Sequence, residues 1–233
     1  MANVKNAMVE YSNDGVAIHA YVAAPSTTVK CPALIVVQEW WGLNDHIKDI
    51  ARRFAAEGYV AIAPDLYSRM GHVQTTDSKE AGQFMSRLKQ DEVLSDLSAT
   101  VTYIQKAPEV DADRVGVTGF CMGGGYALTL PCVNEGVKAA VPFYGPIPNP
   151  DTPIQSLGCP ILYIYGEDDG WITKADVQRL VGALKKYHKP GEVKTYPGAS
   201  HAFFNNTRKE VYKPAEAQDA WQRTLAFFRQ HLQ

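Results

Sequence analysis

Gly119-Phe120-Cys121-Met122-Gly123-Gly124-Gly125 is the stretch on which the fold turns. It follows the apolar run Arg114-Val115-Gly116-Val117-Thr118 and opens a second apolar segment at Tyr126. A strand that turns sharply into a helix, with small residues flanking one nucleophilic side chain, is a nucleophile elbow. The pattern here is G-x-C-x-G, with cysteine in the usual place of serine. Glycines are wanted because the nucleophile sits on a strained backbone and Cβ atoms at its neighbours would clash. The helix that follows aims its N–H groups and positive end at the sulfur, which favours a thiolate and a developing oxyanion alike. The competing reading is a tight βα turn around a buried structural cysteine, the usual fate of an isolated cysteine. Four glycines crowded around this one favour the elbow.

An elbow nucleophile needs an acid and then a histidine further along the chain. Ile161-Leu162-Tyr163-Ile164-Tyr165 has strand character and ends in the loop Gly166-Glu167-Asp168-Asp169-Gly170. Val193-Lys194-Thr195-Tyr196 is a shorter strand followed by Pro197-Gly198-Ala199-Ser200-His201. The expected set is therefore Cys121, Asp169 and His201. The chain has six histidines. His19 falls in an alternating run, on the solvent face of a strand. His188 and His231 lie near helix C-termini, where positive charge is mildly favourable. His46 is in the first turn of a helix and His72 in a polar loop. All five read as structural or solvated. Only His201 follows a strand, in a Gly/Ser loop, beyond the acid.

Taken together these residues resemble the dienelactone hydrolases of the α/β-hydrolase fold, over nearly the whole chain. The likeness is carried by Val37-Gln38-Glu39-Trp40-Trp41-Gly42-Leu43-Asn44, Ala63-Pro64-Asp65-Leu66-Tyr67, the elbow itself, Phe143-Tyr144-Gly145, Gly166-Glu167-Asp168-Asp169 and Gly198-Ala199-Ser200-His201-Ala202-Phe203. A cysteine elbow combined with Gln38-Glu39 is specific. The resemblance sets Asp169 above Asp168, because the family's acid stands three residues after the strand-ending glycine. It implies that Glu39 helps move the thiol proton when substrate binds. A free thiol, with a pKa of about 8.5, is mostly neutral at pH 7, so a carboxylate that takes the proton on demand is chemically reasonable. The alternative is a partly buried glutamate bonded to backbone. The resemblance also implies an oxyanion hole made by the N–H groups of Trp40 and Met122.

One departure matters. Well-known members of the family grip a substrate carboxylate with two arginines. One lies four residues after the histidine, where this chain has Asn205, with Arg208 close by. The other falls nearest Lys79, with Arg69 and Arg87 as alternatives. Lysine is a compact point charge and does not replace a bidentate guanidinium. A strict preference for dienelactone is therefore not expected. Trp40, Trp41, Tyr67, Tyr144, Trp171, Phe203 and Phe204 imply an aromatic pocket for a small aromatic or apolar ester or lactone. Each of them reads equally well as a core residue. The expected substrate contacts are Tyr67, Lys79, Tyr144, Trp171, Phe203 and Asn205.

Composition suits a compact enzyme. The 233 residues are 45% hydrophobic, enough for a large core in a single α/β-hydrolase domain spanning 1–233 without a large cap domain. A net charge of −2 and a pI near 6.3 supply no basic patch for nucleic acid. No run of about 18 apolar residues is present to span a membrane. Met1-Ala2-Asn3-Val4-Lys5-Asn6 lacks the apolar core of a signal peptide. Cys31, Cys121, Cys132 and Cys159 are widely spaced, with no zinc-ligand pattern. Free thiols in a chain of this length fit a reducing cytoplasm. Neither metal nor organic cofactor is expected. A monomer is expected, with a dimer as the alternative.

Alternating strand and helix patterns predict a mostly parallel central sheet flanked by helices on both faces. Residues 7–12 and 16–23 predict a hairpin across Asn13-Asp14-Gly15. Ala33 to Val37 and Tyr59 to Ala63 predict buried strands. The apolar spacings predict helices around 47–55, 94–104, 177–184 and 221–228, the third opened by a Thr173-x-x-Asp176 cap. Residues 69–80 read as the loosest segment, bordering a substrate entrance. A phosphate-binding module is disfavoured because 116–125 lack G-x-G-x-x-G spacing and no Gly-Lys-[Ser/Thr] follows. A catalytically silent binding protein and an acyltransferase remain as alternatives on the same fold.

Overall fold

The structure, a computed structural model, describes residues 4–232; of the stretch 1–6 taken to lack a signal peptide's apolar core, residues 1–3 lie outside them. The chain divides into two compact units, one ending at Gly116 and the other starting at Val117.

The first unit opens with β1 (Val4–Asn13) and β2 (Val16–Pro25), paired antiparallel from Val4↔Pro25 to Asn13↔Val16. That register leaves Asp14-Gly15 as a two-residue loop. Both residues have positive φ, 49° and 78°, as the tightest hairpin turn demands. β3 (Cys31–Val37) is buried at every position, the mark of a strand covered on both faces. β4 (Val60–Pro64) pairs parallel with β3 and antiparallel with β2. Between β3 and β4 lies α1 (Asp45–Ala56), whose Asn44 cap accepts from the Ile47 N–H and whose buried face is Ile47, Ile50, Ala51, Phe54 and Ala55. α2 (Ser78–Ser86) and α3 (Gln90–Gln105) follow, then β5 (Val110–Phe120), which runs on into the second unit.

The second unit continues with α4 (Met122–Thr129), β6 (Val137–Phe143), β7 (Ile161–Gly166), α5 (Lys174–Lys186), β8 (Gly191–Tyr196) and α6 (Pro214–Leu232). β6–β7 and β7–β8 are parallel. The strand order is β1-β2-β4-β3-β5-β6-β7-β8 in one eight-stranded sheet. Its core here is a stack of Phe120, Phe143 and Phe204, with ring centroids 4.7 to 5.3 Å apart. The capping box at Thr173 forms as expected, its hydroxyl accepting from the Asp176 N–H while the Asp176 carboxylate accepts from the Thr173 N–H.

Two elements differ from expectation. The segment read as loose through residue 80 becomes helical at Ser78, because the Asp77 carboxylate caps the N–H groups of Lys79 and Glu80 at 2.9 Å. β6 was not assigned from the sequence, although Asn134-Glu135-Gly136 precedes Val137 and Gly145-Pro146 follows Phe143 as turn signals; the Gly136 N–H donates to the Asn134 side chain at 2.9 Å. No described helix is long and apolar enough to cross a membrane.

Candidate active site

Cys121 is the hinge between β5 and α4. Its backbone has φ 57° and ψ −121°, a conformation that non-glycine residues rarely adopt. Backbone strain of this kind persists only where the surroundings enforce it. Here the Cys121 N–H donates to the Phe143 carbonyl at 3.1 Å, and the Cys121 carbonyl accepts from the Gly124 N–H at 2.9 Å. A Cβ on Gly124 would lie 2.3 Å from the Phe143 oxygen, and one on Gly145 would lie 2.1 Å from Gly124 and Gly125 backbone. These two glycines therefore let the first turn of α4 press against the end of β6. Met122 occupies the first helical position, where an N–H has no intrahelical acceptor. The Cys121 side chain is buried.

The other thiols sit in less reactive surroundings. Burial pushes the Cys132 thiol up to about 11 and the Cys159 thiol up to about 12, and it also raises Cys31. None of them stands at a helix N-terminus.

Asp169 and His201 meet across the loops that follow β7 and β8. The Asp169 Oδ2 lies 2.7 Å from His201 Nδ1. Oδ1 accepts from the N–H groups of Trp171 and Ile172, both at 2.8 Å. The acid is thus fully bonded and its side chain excluded from solvent. Asp168, next to it, is exposed. Gly166 allows the loops to approach, since a Cβ there would meet the Ala199 carbonyl at 2.4 Å. The imidazole is flanked by the rings of Tyr144 and Trp171, each 5.1 Å away and edge-on. Its Nε2 is buried and has no hydrogen-bond partner among the described residues. Phe143-Tyr144 links the two halves of the constellation. The Phe143 carbonyl holds the Cys121 N–H, and the Tyr144 ring packs on His201.

In the first unit, Glu39 is buried directly after β3. Trp40 and Trp41 are partly exposed, their rings 5.0 Å apart. Tyr67 is fully buried and donates its hydroxyl to the Trp40 carbonyl at 2.9 Å, so it shapes that turn. Lys79 and Arg87 lie exposed on and after α2. Arg69 forms a two-pronged bond with Asp96, both contacts at 2.8 Å.

The aromatic set divides once packed. Tyr144, Phe203 and Phe204 are core residues, Phe203 lying against Tyr144 and Tyr196, while Trp171 is 44% exposed. Asn205 is buried, and its Oδ1 accepts from the N–H and hydroxyl of Thr207 at 3.0 and 2.7 Å, which shapes its own loop. Arg208 pairs with Glu210 at 2.8 Å. Two of the histidines expected to be structural or solvated have acidic partners. His19 Nε2 lies 3.2 Å from Glu10, and His72 Nδ1 lies 3.1 Å from the buried Asp65. The first pair sits directly across the β1–β2 hairpin, and the two histidine rings, 3.8 Å apart, are the contact that joins the hairpin to the distant loop.

The strand order and the strained cysteine at the β5–α4 turn define an α/β-hydrolase. The chain belongs to the dienelactone hydrolase family, whose pattern residues 18–232 match. It is 36% identical to a "Putative carboxymethylenebutenolidase" of Synechocystis, over 99% of this chain and 98% of that one. It is 33% identical to a Bradyrhizobium protein named "Probable 2-oxo-3-(5-oxofuran-2-ylidene)propanoate lactonase", over 96% of this chain and 94% of that one. Among solved structures, a "Putative Dienelactone Hydrolase" from Klebsiella pneumoniae superposes with a TM-score of 0.92 at 33% identity, covering 98% of this chain and all of the other.

Proposed function

We propose that this protein hydrolyses small lactones or carboxylic esters through a thioester on Cys121. The observation that carries the reading is the buried cysteine at φ 57° on the N-terminus of α4, in the same unit as an Asp169–His201 pair with an unsatisfied Nε2. A buried imidazole nitrogen without a partner is costly, which supports a reacting group as its complement. The lactonase name of the Bradyrhizobium relative supports a cyclic ester as one substrate class.

The Cys121 sulfur attacks the carbonyl carbon as thiolate, and a C–S bond forms. The C–O bond to the leaving group breaks, and the thiol proton, taken up by Glu39 during the attack and passed on through His201 Nε2, goes to the departing oxygen. Water then attacks the thioester, giving its proton to His201, and the C–S bond breaks to release the acid while His201 returns that proton to the Cys121 sulfur. Asp169 holds the imidazole in one tautomer and orientation throughout. Trp40 and Met122 N–H groups as oxyanion donors, and Glu39 as the group that accepts the thiol proton, belong to the same proposal and rest on the sequence motifs. Trp171, exposed beside His201, is the aromatic side chain best placed in this unit to meet substrate. The scheme calls for no metal or organic cofactor.

Turnover of a chromogenic aryl ester and a small lactone tests this, with Cys121→Ala alongside. Wild-type turnover, loss in the variant and an acyl adduct on Cys121 in the intact-mass spectrum are expected. Equal turnover by Cys121→Ala would remove the nucleophile assignment.

A further inference from the structure

Outside the catalytic constellation, four ionisable side chains of the first unit form a chain: Glu10, His19, His72 and Asp65. Glu10 meets His19 Nε2 at 3.2 Å, the two imidazole centroids stand 3.8 Å apart, and His72 Nδ1 meets Asp65 Oδ2 at 3.1 Å. The mechanism uses none of them. Asp65 is buried, and its second oxygen accepts from the Tyr67 N–H at 2.9 Å. The His72 N–H donates to the Tyr67 carbonyl at 3.1 Å. Tyr67 in turn donates to the Trp40 carbonyl.

His72 also begins the segment that lies on the Trp40-Trp41-Gly42 turn. A Cβ on Gly42, whose φ is 92°, would sit 2.4 Å from the Val73 carbonyl oxygen and 3.1 Å from the Gln74 Cα. The Thr75 N–H donates to the Trp41 carbonyl at 3.1 Å. His72 itself has φ 63°, a left-handed conformation that costs a non-glycine residue energy unless its side chain is held. Asp65 and the His19 ring supply that hold.

We propose that His72 is a positioning residue: anchored by Asp65 and backed by His19, it pins residues 73–75 against the Trp41-Gly42 turn and thereby fixes the peptide that carries the Trp40 N–H. The consequence for catalysis rests on the proposed esterase reading, in which that N–H stabilises the oxyanion. An oxyanion donor acts on the transition state more than on bound substrate, so loosening it lowers kcat with little change in KM.

The test compares His72→Gly, His72→Asn and wild type. Glycine tolerates the left-handed backbone and removes the anchor. Asparagine tolerates it nearly as well and keeps a donor for Asp65. His72→Gly is expected to lose about ten-fold in kcat on an aryl ester, with KM within about two-fold. In hydrogen exchange read by mass spectrometry, the peptide containing the Thr75 N–H is expected to exchange faster. His72→Asn should restore both toward wild type. His19→Ala, which leaves the His72 backbone and its Asp65 contact in place, should show the same pattern to a smaller degree, and it carries the test if His72→Gly does not fold. Wild-type kcat and exchange in His72→Gly, or an Asn variant as impaired as the Gly variant, would overturn the proposal. The exchange measurement needs no turnover. If wild type hydrolyses no ester, the esterase reading fails while the anchoring role is still decided.

Discussion

Asp169 divides its two carboxylate oxygens between His201 and its own loop. Oδ2 takes the imidazole at 2.7 Å, and Oδ1 takes the Trp171 and Ile172 N–H groups at 2.8 Å each. Loop and histidine are therefore set by one side chain. A rigid acid can orient an imidazole only if its own rotamer is fixed, and the two backbone donors fix it.

Asp169→Asn should lower kcat by on the order of 10²-fold or more, because the amide presents the wrong group to Nδ1 and the tautomer is lost. Its Oδ1 can still accept from the loop N–H groups, so the variant should fold. Asp168→Asn should keep most activity, since Asp168 is exposed. Steady-state kinetics on one ester decides. The reverse ranking would reassign the acid.

Iodoacetamide at about pH 8 should label Cys121 before the other three thiols, and activity should fall in step. With a thiol pushed up to about 11, as burial does to Cys132, the thiolate fraction at that pH is only ~10⁻³. Cys159 is raised further, to about 12. Peptide mapping at substoichiometric labelling gives the order. Full activity with Cys121 wholly alkylated would defeat the nucleophile assignment.

Gly145→Ala should destabilise the protein by ~1–3 kcal/mol or more, because its Cβ would stand 2.1 Å from Gly124 and Gly125 backbone that cannot yield without moving the elbow. Gly182→Ala should do the opposite. It lies in α5 with nothing within 4 Å of the added Cβ, and alanine stabilises an open helix position by roughly 0.5–1 kcal/mol. Urea denaturation of both variants checks the two signs together.

The Asp176 carboxyl is held at about 2, foremost by the Thr173 hydroxyl and then by Arg179. A folded-state pKa depressed below its unfolded value contributes stability above the unfolded pKa, and the contribution fades as pH falls through the folded one. The side chain is partly exposed, so the cap is worth on the order of 1 kcal/mol. Asp176→Ala should therefore cost about that near neutral pH, and the gap to wild type should close between about pH 4 and pH 2. Denaturation midpoints across that range read it. A gap that widens on acidification would contradict the capping account.

Much of this was legible from residues acting locally. Asp14-Gly15 can only be a tight hairpin turn, Thr173 and Asp176 cap each other within one turn, and the glycines after Cys121 mark a close approach whatever lies opposite. The rest depends on partners far along the chain. α2 escaped notice because Ala81 is its sole buried residue, leaving little apolar periodicity to detect. Tyr67 and Phe203 could not be told from pocket residues until their neighbours, the Trp40 carbonyl and the Tyr196 ring, were in place. The role of His72 was not legible locally because Asp65 lies beyond a turn and His19 on another strand. Asn205 is a different case. Its bond to Thr207 spans two residues and is a local pattern, an asparagine side chain accepting from the second residue on.

Neutral small aryl esters or lactones should rival carboxylated ones here. The guanidinium groups considered for a carboxylate clamp include two already matched to carboxylates, Arg69 to Asp96 and Arg208 to Glu210. Each would have to give up a charge-assisted bond to form another. Asn205 is buried and spends its Oδ1 on Thr207. A missing charge-assisted contact is worth roughly 1.5–3 kcal/mol, or about ten- to a hundred-fold in binding. Matched esters with and without a carboxylate should thus differ in kcat/KM by less than about ten-fold. Asn205→Arg should not install a clamp. It would remove the turn at Thr207 and force a charge into a buried position, so stability and activity should fall on both substrates. A wild-type preference for the carboxylated ester on the order of a thousand-fold, erased by Lys79→Ala or Arg87→Ala, would place the clamp on the exposed cations on and just after α2 and overturn this reading.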